Sequence, residues 1–396
     1  MSAPKLRFKE FDGDWTTSPL KALCKINQGL QIAIEDRFLE DGNNRYFYIT
    51  NEFLKEGSKK AYFIENPPKA VICDESDILM TRTGNTGQVV TDVKGAFHNN
   101  FFKIDFDRSI INKNFFIEFL KKDTTQHLIL KYAGASTIPD LNHSDFYRIV
   151  MPITTIEEQT KIASFLSAVD EKISQLTQKH ELLSQYKQGM MQKLFSQQIR
   201  FKADDGSEFG EWEKTILGLT GKFIGGGTPS KEVAEFWQGS IPWISSSDLV
   251  DESIFNINIT RFISTDALNQ SATKLIPANS ILIVSRVGVG KVAVTDRDIC
   301  TSQDFTNLVL SNGNAVFFGY SIKSLTGRLL EMNQGTSIKG FVKDDLSNLK
   351  VQIPSLEEQT KIANFLSAID QKIEIVAQQI EQAKQWKKGL LQQMFV

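Results

Sequence analysis

The sequence predicts a mixed α/β (α+β) fold: two related globular domains joined by two long helices that form an antiparallel coiled coil. Three observations predict it. A block of 39 residues occurs twice, 200 residues apart. Each copy carries an apolar stripe with helical spacing, and the segment before each copy has short β-like runs with glycine turns. We therefore expect a tandem duplication with pseudo-twofold symmetry.

The first segment, before the first copy of the block, contains strand-like and turn-rich sequence. The run KAVICDESDILMTRTGNTGQVV indicates short strands broken by glycine turns, and residues 111–122 (INKNFFIEFLKK) indicate a helix. In the second segment, ILIVSRVGVGKVAV repeats the strand and glycine pattern, and LIVSRVG around Arg286 matches ILMTRTG around Arg82. The two segments are interpreted as related α/β domains.

The repeated block predicts two helices of about 40 residues. EEQTKIASFLSAVDEKI at residues 157–173 returns as EEQTKIANFLSAIDQKI at residues 357–373, and 21 of the 39 aligned residues are identical. Thr155-x-x-Glu158 and Ser355-x-x-Glu358 predict capping boxes at the two helix starts. The predicted domains are therefore 1–154 and 201–354, with helical spacers at 155–200 and 355–396.

An apolar seam with alternating spacings of four and three follows each helix and is typical of a coiled coil. His180 and Lys187 interrupt it in the first helix, and Lys387 occupies the place matching Lys187 in the second. The predicted seam residues are Ile162, Leu166, Val169, Ile173, Leu176, Leu183, Met190, Leu194, Ile362, Leu366, Ile369, Ile373, Val376, Ile380, Leu390 and Met394.

Two alternatives concern what covers this seam. It could pack on the helix's own globular domain, but a helix of about 60 Å is longer than a domain, so we expect an antiparallel partner helix. Lys187 and Lys387 could fix the register of the pair, or their stems could extend so that the ammonium groups reach solvent. The sequence does not decide between these two roles.

Composition excludes several classes of protein. The chain has 396 residues, a formal net charge of −2, three cysteines without a C-x-x-C pair and four scattered histidines. Disulfide frameworks and zinc sites are not expected, nor is any other metal site. No apolar run is long enough to span a bilayer and the N-terminus does not resemble a secretory signal, so we expect a cytoplasmic location.

Two motifs with a catalytic appearance are interpreted as turns. Asn66-Pro67-Pro68-Lys69 lacks the final aromatic residue of the N-P-P-aromatic motif of amino-methyltransferases, and no F-x-G-x-G cofactor loop accompanies it. Gly288-x-Gly290-x-x-Ala293 approximates a dinucleotide fingerprint, but strand-forming residues follow it where a helix is required. We expect no catalytic residue in this chain.

The duplicated pattern resembles the specificity (DNA-recognition) subunits of type I restriction-modification systems. The resemblance covers the whole chain and lies in the repeated EEQ-x-K-I-A-x-F-L blocks, the helix ends YKQGMMQKLF and WKKGLLQQMF, and GGGTPSK followed by IPWISSSDL. The first domain departs from the last two motifs, with QGLQIAIEDRF and YFYITNEFL in their place.

The resemblance implies a non-catalytic subunit that selects a split, asymmetric site on double-stranded DNA, one half per target-recognition domain. Its partners would be two methyltransferase (modification) subunits and restriction (translocase and nuclease) subunits. S-adenosylmethionine, ATP and magnesium would belong to those partners, with no cofactor in this chain. The paired helices would set the distance between the half-sites.

We expect DNA contacts from polar residues on glycine-rich or strand-end loops. For each arginine, a structural pair with an aspartate is an equal alternative to base readout. The loop pair at residues 134–137 and 335–338 is a further candidate, for phosphate contact or as a plain turn. The candidate DNA-binding residues are Arg82, Thr83, Asn85, Thr86, Thr228, Ser230, Lys231, Ser245, Ser246, Ser285 and Arg286.

Two other functions are weighed against this one. A self-sufficient adenine methyltransferase would bind S-adenosylmethionine on the isolated chain, and a coiled-coil scaffold without DNA readout would leave two diverged domains unexplained. The duplication also predicts that the N-terminus, whose LRF at residues 6–8 matches IRF at residues 199–201, lies near the C-terminus.

Overall fold

The computed structural model describes residues 3–55, 57–58, 60–134, 139–332 and 340–395. The chain divides into two compact units. Unit 1 comprises Met1–Thr177 and Gln378–Val396, and unit 2 comprises Gln178–Ala377. The division falls within both long helices, so each unit consists of one globular domain and a segment of each helix.

Unit 1 contains ten strands and four short helices in the part of its globular domain that the structure describes. In chain order they are β1 (Thr16–Pro19), α1 (Leu20–Leu23), β2 (Cys24–Gln28), β3 (Arg45–Ile49), β4 (Phe63–Glu65), β5 (Ile72–Cys73), β6 (Ile78–Thr81), β7 (Val89–Val90), β8 (Gly95–Phe97), β9 (Phe101–Phe106), α2 (Lys113–Lys121), α3 (Asp123–Ala133), α4 (His143–Tyr147) and β10 (Val150–Ile153).

The strands of unit 1 form two four-stranded sheets and one two-stranded pair. The first sheet has the order β2-β9-β6-β7 and is antiparallel throughout. The second has the order β4-β3-β8-β5, in which β3 and β8 run parallel. The pair β1-β10 joins the start of the domain to the strand that leads into the first long helix. The predicted strand runs around residues 69–90 are confirmed as β5, β6 and β7.

The helix predicted at residues 111–122 is confirmed as α2. It begins after Asn112, whose side chain accepts hydrogen bonds from the backbone N–H groups of Asn114 (3.0 Å) and Phe115 (3.2 Å). Such a cap satisfies two amides that have no partner within the helix. Phe115 and Phe116 are fully buried and anchor α2 in the core of unit 1.

Unit 2 follows the same plan. Between the two long helices, α5 (Ile156–Phe195) and α9 (Leu356–Met394), the elements are β11 (Glu213–Ile216), β12 (Gly221–Gly225), β13 (Ile241–Ile244), β14 (Arg261–Ile263), α6 (Thr265–Gln270), β15 (Leu275–Ile276), β16 (Ile281–Ile283), β17 (Val292–Val294), β18 (Ile299–Thr301), β19 (Thr306–Leu310), α7 (Ala315–Met332), α8 (Lys343–Ser347) and β20 (Lys350–Ile353).

The sheets of unit 2 repeat those of unit 1 strand for strand. Their orders are β12-β19-β16-β17 and β14-β13-β18-β15, with β13 and β18 parallel, and β11 pairs with β20. This correspondence confirms the predicted duplication at the level of topology. One difference concerns the helices: α2 and α3 of unit 1 are separated by a break at Lys122, whereas α7 is continuous.

The long helices start as predicted, but their capping boxes form only in part. The backbone N–H of Glu158 donates to Thr155 Oγ1 and that of Glu358 to Ser355 Oγ, both at 3.4 Å. The two glutamate carboxylates do not serve as the second half of each box. They are buried and accept hydrogen bonds from arginines outside the helices, because a buried carboxylate is stabilised best by a guanidinium.

All predicted seam residues are buried or half-buried. The helix segments are antiparallel within each unit. In unit 1, Asp170 of α5 pairs with Lys387 of α9. Nearer the start of α5, Glu158 pairs with Arg7. The neighbour of Arg7, Leu6, donates its backbone N–H to the carbonyl of Gln393 near the end of α9 (3.0 Å). The Leu6 contact also places the N-terminal LRF segment beside the end of α9, as the duplication predicts.

Unit 2 shows the same order. Lys187 of α5 pairs with Asp370 of α9, and Arg200, just beyond the end of α5, pairs with Glu358. As the residue number rises along α5, that of its partner falls along α9. The predicted antiparallel pairing is therefore confirmed in each unit by itself.

The apolar seam packs against both the partner helix and the globular domain. In unit 1, Ile162 and Leu166 share a buried cluster with Leu390 of the partner helix and with Trp15 and Phe115 of the domain. In unit 2, Ile362 and Leu366 share a buried cluster with Leu194 of the partner helix and with Trp212 of the domain. The expectation that much of each stripe is covered by the partner helix alone is therefore wrong for these ends. The helices and domains have common cores.

The two seam lysines do not extend to solvent. The side chain of Lys187 is 12% exposed and its ammonium lies 2.5 Å from Asp370, and that of Lys387 is 17% exposed and contacts Asp170 and Glu118. A buried ammonium is costly unless a carboxylate neutralises it. Each lysine therefore has to lie opposite its acidic partner, which favours one register of the two helices. Of the two alternatives, the structure agrees with a role in the register.

The remaining expectations concern turns and spans. Asn66 has a positive φ of 46° and precedes a single 3-10 turn, so the N-P-P-K motif is a turn. Gly288 and Gly290 have φ of 81° and 95° in the hairpin that joins antiparallel β16 and β17. The loops at residues 135–137 and 335–338 lie outside the described residues. None of the helices described here combines the length and apolarity needed to cross a membrane.

Candidate nucleic-acid interface

Four of the predicted DNA-contacting residues lie on the hairpin between β6 and β7 of unit 1. Arg82 follows β6 directly, and its guanidinium donates to both carboxylate oxygens of Asp140, from Nε at 2.8 Å and from Nη2 at 2.7 Å. This hydrogen-bonded pair raises the pKa of Arg82 and lowers that of Asp140. In this arrangement the charge of Arg82 is neutralised by a carboxylate of its own domain.

The rest of this hairpin is held by hydrogen bonds to other segments of the domain. Thr86 Oγ1 donates to the carbonyl of Pro139 (2.7 Å), and Asn51 Nδ2 donates to the carbonyl of Thr83 (2.9 Å). Gly84 has φ of 67°, and a Cβ there would lie 2.3 Å from Asn51 Nδ2, so glycine is required. Asn85 is the exposed side chain among the four predicted residues.

The matching hairpin of unit 2, between β16 and β17, is arranged differently. Ser285 is buried and hydrogen-bonded to Thr306 Oγ1 (2.9 Å), so its hydroxyl supports the loop from within. Arg286 is exposed and has no ion-pair partner among the residues that the structure describes. Val287 beside it is 70% exposed. The tip therefore presents an exposed guanidinium and an apolar side chain together.

The neighbouring segment shows how the residues of the two hairpins correspond. In unit 1, Leu141 donates its backbone N–H to Arg82, and in unit 2 Phe341 donates its N–H to Ser285. Asp140 and Gly340 precede these two residues and occupy matching positions. A Cβ at Gly340 would lie 2.4 Å from the Ser285 carbonyl, so no acidic side chain fits there. By these backbone hydrogen bonds Ser285 corresponds to Arg82 in the structure, and Arg286 stands one residue further along, at the position of Thr83. The sequence match of Arg286 with Arg82 is therefore wrong by one residue.

Three further predicted residues lie on the loop after β12. Thr228 Oγ1 donates to Gln303, and the carbonyl of Ser230 accepts from Trp237 Nε1 (3.0 Å). Trp237 packs edge to face on Trp243 at 5.1 Å between ring centroids. Ser230 and Lys231 are exposed, so their side chains are available to a ligand while Thr228 is held by the loop.

The last two predicted residues follow β13. Ser245 Oγ accepts from Arg261 Nη2 (2.8 Å) and belongs to a cap with Asp248, so it has a structural role. Ser246 lies beside the hairpin between β16 and β17: a Cβ at Gly288 of that hairpin would be 3.7 Å from Ser246 Cβ. The structure thus brings the Ser246 and Arg286 loops together within unit 2.

Sequence reasoning missed several residues at this face of unit 2. Arg261 stacks 4.6 Å above the Trp243 ring and holds Ser245 and Asp248, and Gln303 holds Thr228. Val287 was not considered although it lies between Arg286 and Gly288. Its apolar character at an exposed glycine hairpin was a signal that could have been used.

Other candidate chemistry is accounted for by burial. Burial raises the pKa of the thiols of Cys24 and Cys73 to about 12 and that of Cys300 to about 11, so all three are inert at neutral pH. No group of three or more histidine, cysteine, aspartate or glutamate side chains placed to hold a metal occurs in the described part of the chain.

Comparison with known sequences gives two matches to one family model. The type I restriction modification DNA specificity domain matches residues 12–185 and again residues 210–385. The specificity subunit of the type I restriction enzyme MjaVIII of Methanocaldococcus jannaschii is 26% identical over 412 residues, which cover 97% of this chain and 94% of that protein.

Two other relatives match over about half of this chain. The MjaIX specificity subunit of the same organism is 30% identical over 185 residues, 46% of this chain and 43% of that protein. The EcoR124I/EcoR124II specificity subunit of Escherichia coli is 36% identical over 173 residues, 41% of each chain.

A solved structure shares the fold of the whole chain. The type I restriction-modification S subunit from M. genitalium superposes with a TM-score of 0.61 at 19% identity, covering 100% of this chain and 99% of that one. Since the family model matches both halves of the sequence, the chain belongs to the type I restriction-modification specificity-subunit family, whose members recognise DNA without catalysing the reaction themselves.

Proposed function

We propose that this chain selects a bipartite, asymmetric site on double-stranded DNA, with one domain reading each half. The observation that carries the proposal is the contrast between the two hairpins: one framework presents Asn85 in unit 1 and Arg286 with Val287 in unit 2. Domains with the same frame but different exposed side chains suit two different half-sites.

The exposed side chains have the chemistry that base readout needs. A free arginine can donate two hydrogen bonds to O6 and N7 of guanine in the major groove, and an apolar side chain contacts the methyl group of thymine. Asparagine pairs in the same way with adenine. The lysine at position 231 supplies a charge for a flanking phosphate, which positions the protein without reading sequence.

The partners belong to the proposal as well. The chain would bind two methyltransferase subunits and restriction subunits, which would carry S-adenosylmethionine, ATP and magnesium. A gel shift in the presence of the methyltransferase subunits separates this role from that of a scaffold without DNA readout. Equilibrium dialysis of the isolated chain against S-adenosylmethionine separates it from a self-sufficient methyltransferase, and we expect no binding.

The binding test uses three duplexes: the full site, the first half scrambled and the second half scrambled. We expect each scrambled half to weaken binding of the assembled complex. Arg286→Ala should weaken binding to the full site by about 10- to 100-fold, the effect of one bidentate base contact, and should remove discrimination at one half only. Equal affinity for all three duplexes would overturn the proposal.

The long helices would set the spacer between the halves. Asp170 and Lys187 of α5 pair with Lys387 and Asp370 of α9. A heptad inserted after Ile173 alone would lengthen only one of the two paired segments, whereas matched heptads after Ile173 and Ile373 keep both seams in register. The matched variant should change the preferred spacer, and an unchanged spacer in methylation mapping would contradict this part of the proposal.

A further inference from the structure

A pocket of about 340 Å³ lies in unit 1 where the end of α2, the start of α3 and segments of both long helices meet. Its volume falls in the range of small-molecule sites. Ile173 and Leu391 supply an apolar part of its wall, and most of the other lining side chains are charged. None of its lining residues belongs to the β6–β7 hairpin that carries the candidate DNA contacts of this unit.

The lining of the pocket has an excess of positive charge. Five lysines face three carboxylates, and the lysines are Lys121, Lys122, Lys384, Lys387 and Lys388. The carboxylates are already engaged: Glu118 and Asp170 contact Lys387, and Asp123 pairs with Lys388 at 2.7 Å. Among the described residues, the other three lysines form no ion pair.

Lys122 is the unusual member of this set. It is 9% exposed, and its ammonium lies 5.8 Å from the centroid of the Phe395 ring without a hydrogen-bond or ion-pair partner among the described residues. Burial lowers its pKa. The ammonium of a largely buried lysine that lines the pocket without a counter-ion among the described residues would be stabilised by an anion in the pocket.

The backbone at this point brings the end of α2 and the start of α3 to the pocket wall. Lys122 is extended, with φ of −58° and ψ of 135°, and interrupts the helix so that α3 begins at Asp123 inside the pocket wall. The N-terminus of an 11-residue helix presents amides without helical partners and the positive end of the helix dipole. These features favour an anion in the pocket.

The matching region of unit 2 has a different construction. Asn314 caps α7 as Asn112 caps α2, which aligns Tyr320 with Glu118, Lys323 with Lys121 and Ser324 with Lys122. There α7 continues without a break, and Lys323 pairs with Asp251. The buried lysine at a helix break is therefore a feature that unit 1 has and the matching position of unit 2 does not.

We propose that this pocket binds a phosphate monoester or free phosphate through Lys122 and the start of α3. The excess of two positive charges matches a dianion, and the apolar wall leaves room for a small organic group on the ester. This site does not rest on the proposed DNA readout, and either could fail without the other.

Isothermal titration of the full-length chain with inorganic phosphate, and separately with AMP, at ionic strength held constant with NaCl tests the site. We expect saturable binding of at least one of these probes. Tighter binding of AMP would identify the ester as the ligand class, and tighter binding of inorganic phosphate would identify the free ion. Lys122→Met keeps the aliphatic stem and should raise the dissociation constant about tenfold, because it removes a charge-assisted hydrogen bond.

Two further variants keep the test decisive. Lys388→Gln alters a side chain that is 62% exposed, so it should fold normally and weaken binding by a smaller factor of about two to five. Lys323→Gln, at the matching helix of unit 2, should leave binding unchanged. No saturable binding of either probe, or equal loss in the unit 1 variants and Lys323→Gln, would overturn the proposal.

Discussion

The two hairpins that carry Arg82 and Arg286 have the same backbone frame, but the two arginines stand one position apart in it. In unit 1, Asp140 holds Arg82 through two hydrogen bonds, whereas in unit 2 Gly340 occupies the matching position and Arg286 is exposed. Ser285 stands where Arg82 does, so both the position of the arginine in the hairpin and the residue beside it separate a paired charge from an exposed one. Equivalent sequence positions need not have equivalent functions.

The junctions between domain and long helix show little such divergence. Arg7 pairs with Glu158 and Arg200 with Glu358, each at 2.7 Å, and in each case the glutamate is at the start of a long helix. The side-chain oxygens of Gln159 and Gln359 accept the backbone N–H groups of Asn112 and Asn314, which cap α2 and α7, at 2.9 Å in each case. The duplicated chain therefore keeps its helix junctions while its exposed loops differ.

The largest expected effect distinguishes the two lysine pairs of the seam. Asp370 is 8% exposed, whereas Asp170 is 47% exposed and Lys387 has Glu118 as a second partner. Asp370→Asn should lower the free energy of unfolding by about 3–5 kcal/mol, because it leaves Lys187 buried without a counter-ion. Asp170→Asn should cost at most about 1 kcal/mol. Chemical denaturation of both variants measures the difference, and equal losses would contradict it.

The next effect concerns the Arg7–Glu158 junction and its dependence on pH. Burial raises the pKa of Glu158, but the hydrogen bonds from Arg7 and Thr154 outweigh it, so the pKa is lowered overall. The stability from this pair is present above the ordinary glutamate pKa and lost as pH falls through the folded value.

Glu158→Gln should therefore lower the free energy of unfolding by about 2–3 kcal/mol at neutral pH. The difference in unfolding free energy between wild type and variant should become smaller below about pH 4.5. Thermal unfolding of both proteins between pH 3 and 7 measures it. A gap that stays constant or widens in acid would show that Glu158 is not held ionised in this way.

A third effect separates the two hairpin arginines. Arg286→Ala should leave the free energy of unfolding within about 0.5 kcal/mol of wild type, because the side chain is exposed and unpaired among the described residues. Arg82→Ala should lower it by about 1 kcal/mol, because it removes a partly exposed bidentate pair. Denaturation curves test both, and a larger loss for Arg286→Ala would reverse the comparison.

The smallest effect concerns the two hairpin glycines. Gly84→Ala and Gly288→Ala both place a side chain at positive φ, but a Cβ at Gly84 would meet Asn51 Nδ2 at 2.3 Å while the nearest atom at Gly288 is 3.7 Å away. Gly84→Ala should be the more destabilising by about 1 kcal/mol, since it also disturbs the hydrogen bond from Asn51 to Thr83. Equal melting temperatures would contradict this difference.

The helices were predictable because their information is local and repeated. The apolar spacing from Ile162 to Leu194, the cap residues and the duplicated block all lie within one stretch of sequence. Once an antiparallel partner helix is assumed, the positions of Lys187 and Asp370 along the two helices place them opposite each other. The parallel pairing of β3 with β8 was not predicted, because it joins residues about 50 positions apart.

The candidate site was predictable as loops but not as side-chain roles. Glycines and strand ends located both hairpins, yet the partners of Thr228, Ser245 and Ser285 come from distant segments that sequence spacing does not reveal. The presence of Asp140 beside Arg82, and of Gly340 beside Arg286, likewise depends on tertiary packing. These positions decide which polar groups remain available.

Mapping of methylated adenines in cells that contain the assembled complex tests the central claim most directly, with wild type and Arg286→Ala compared. The account predicts an asymmetric site of two short specific halves separated by a spacer of fixed length. In the variant, base preference should be relaxed in one half and retained in the other. A single contiguous site, or loss of preference in both halves at once, would contradict two domains that read DNA separately.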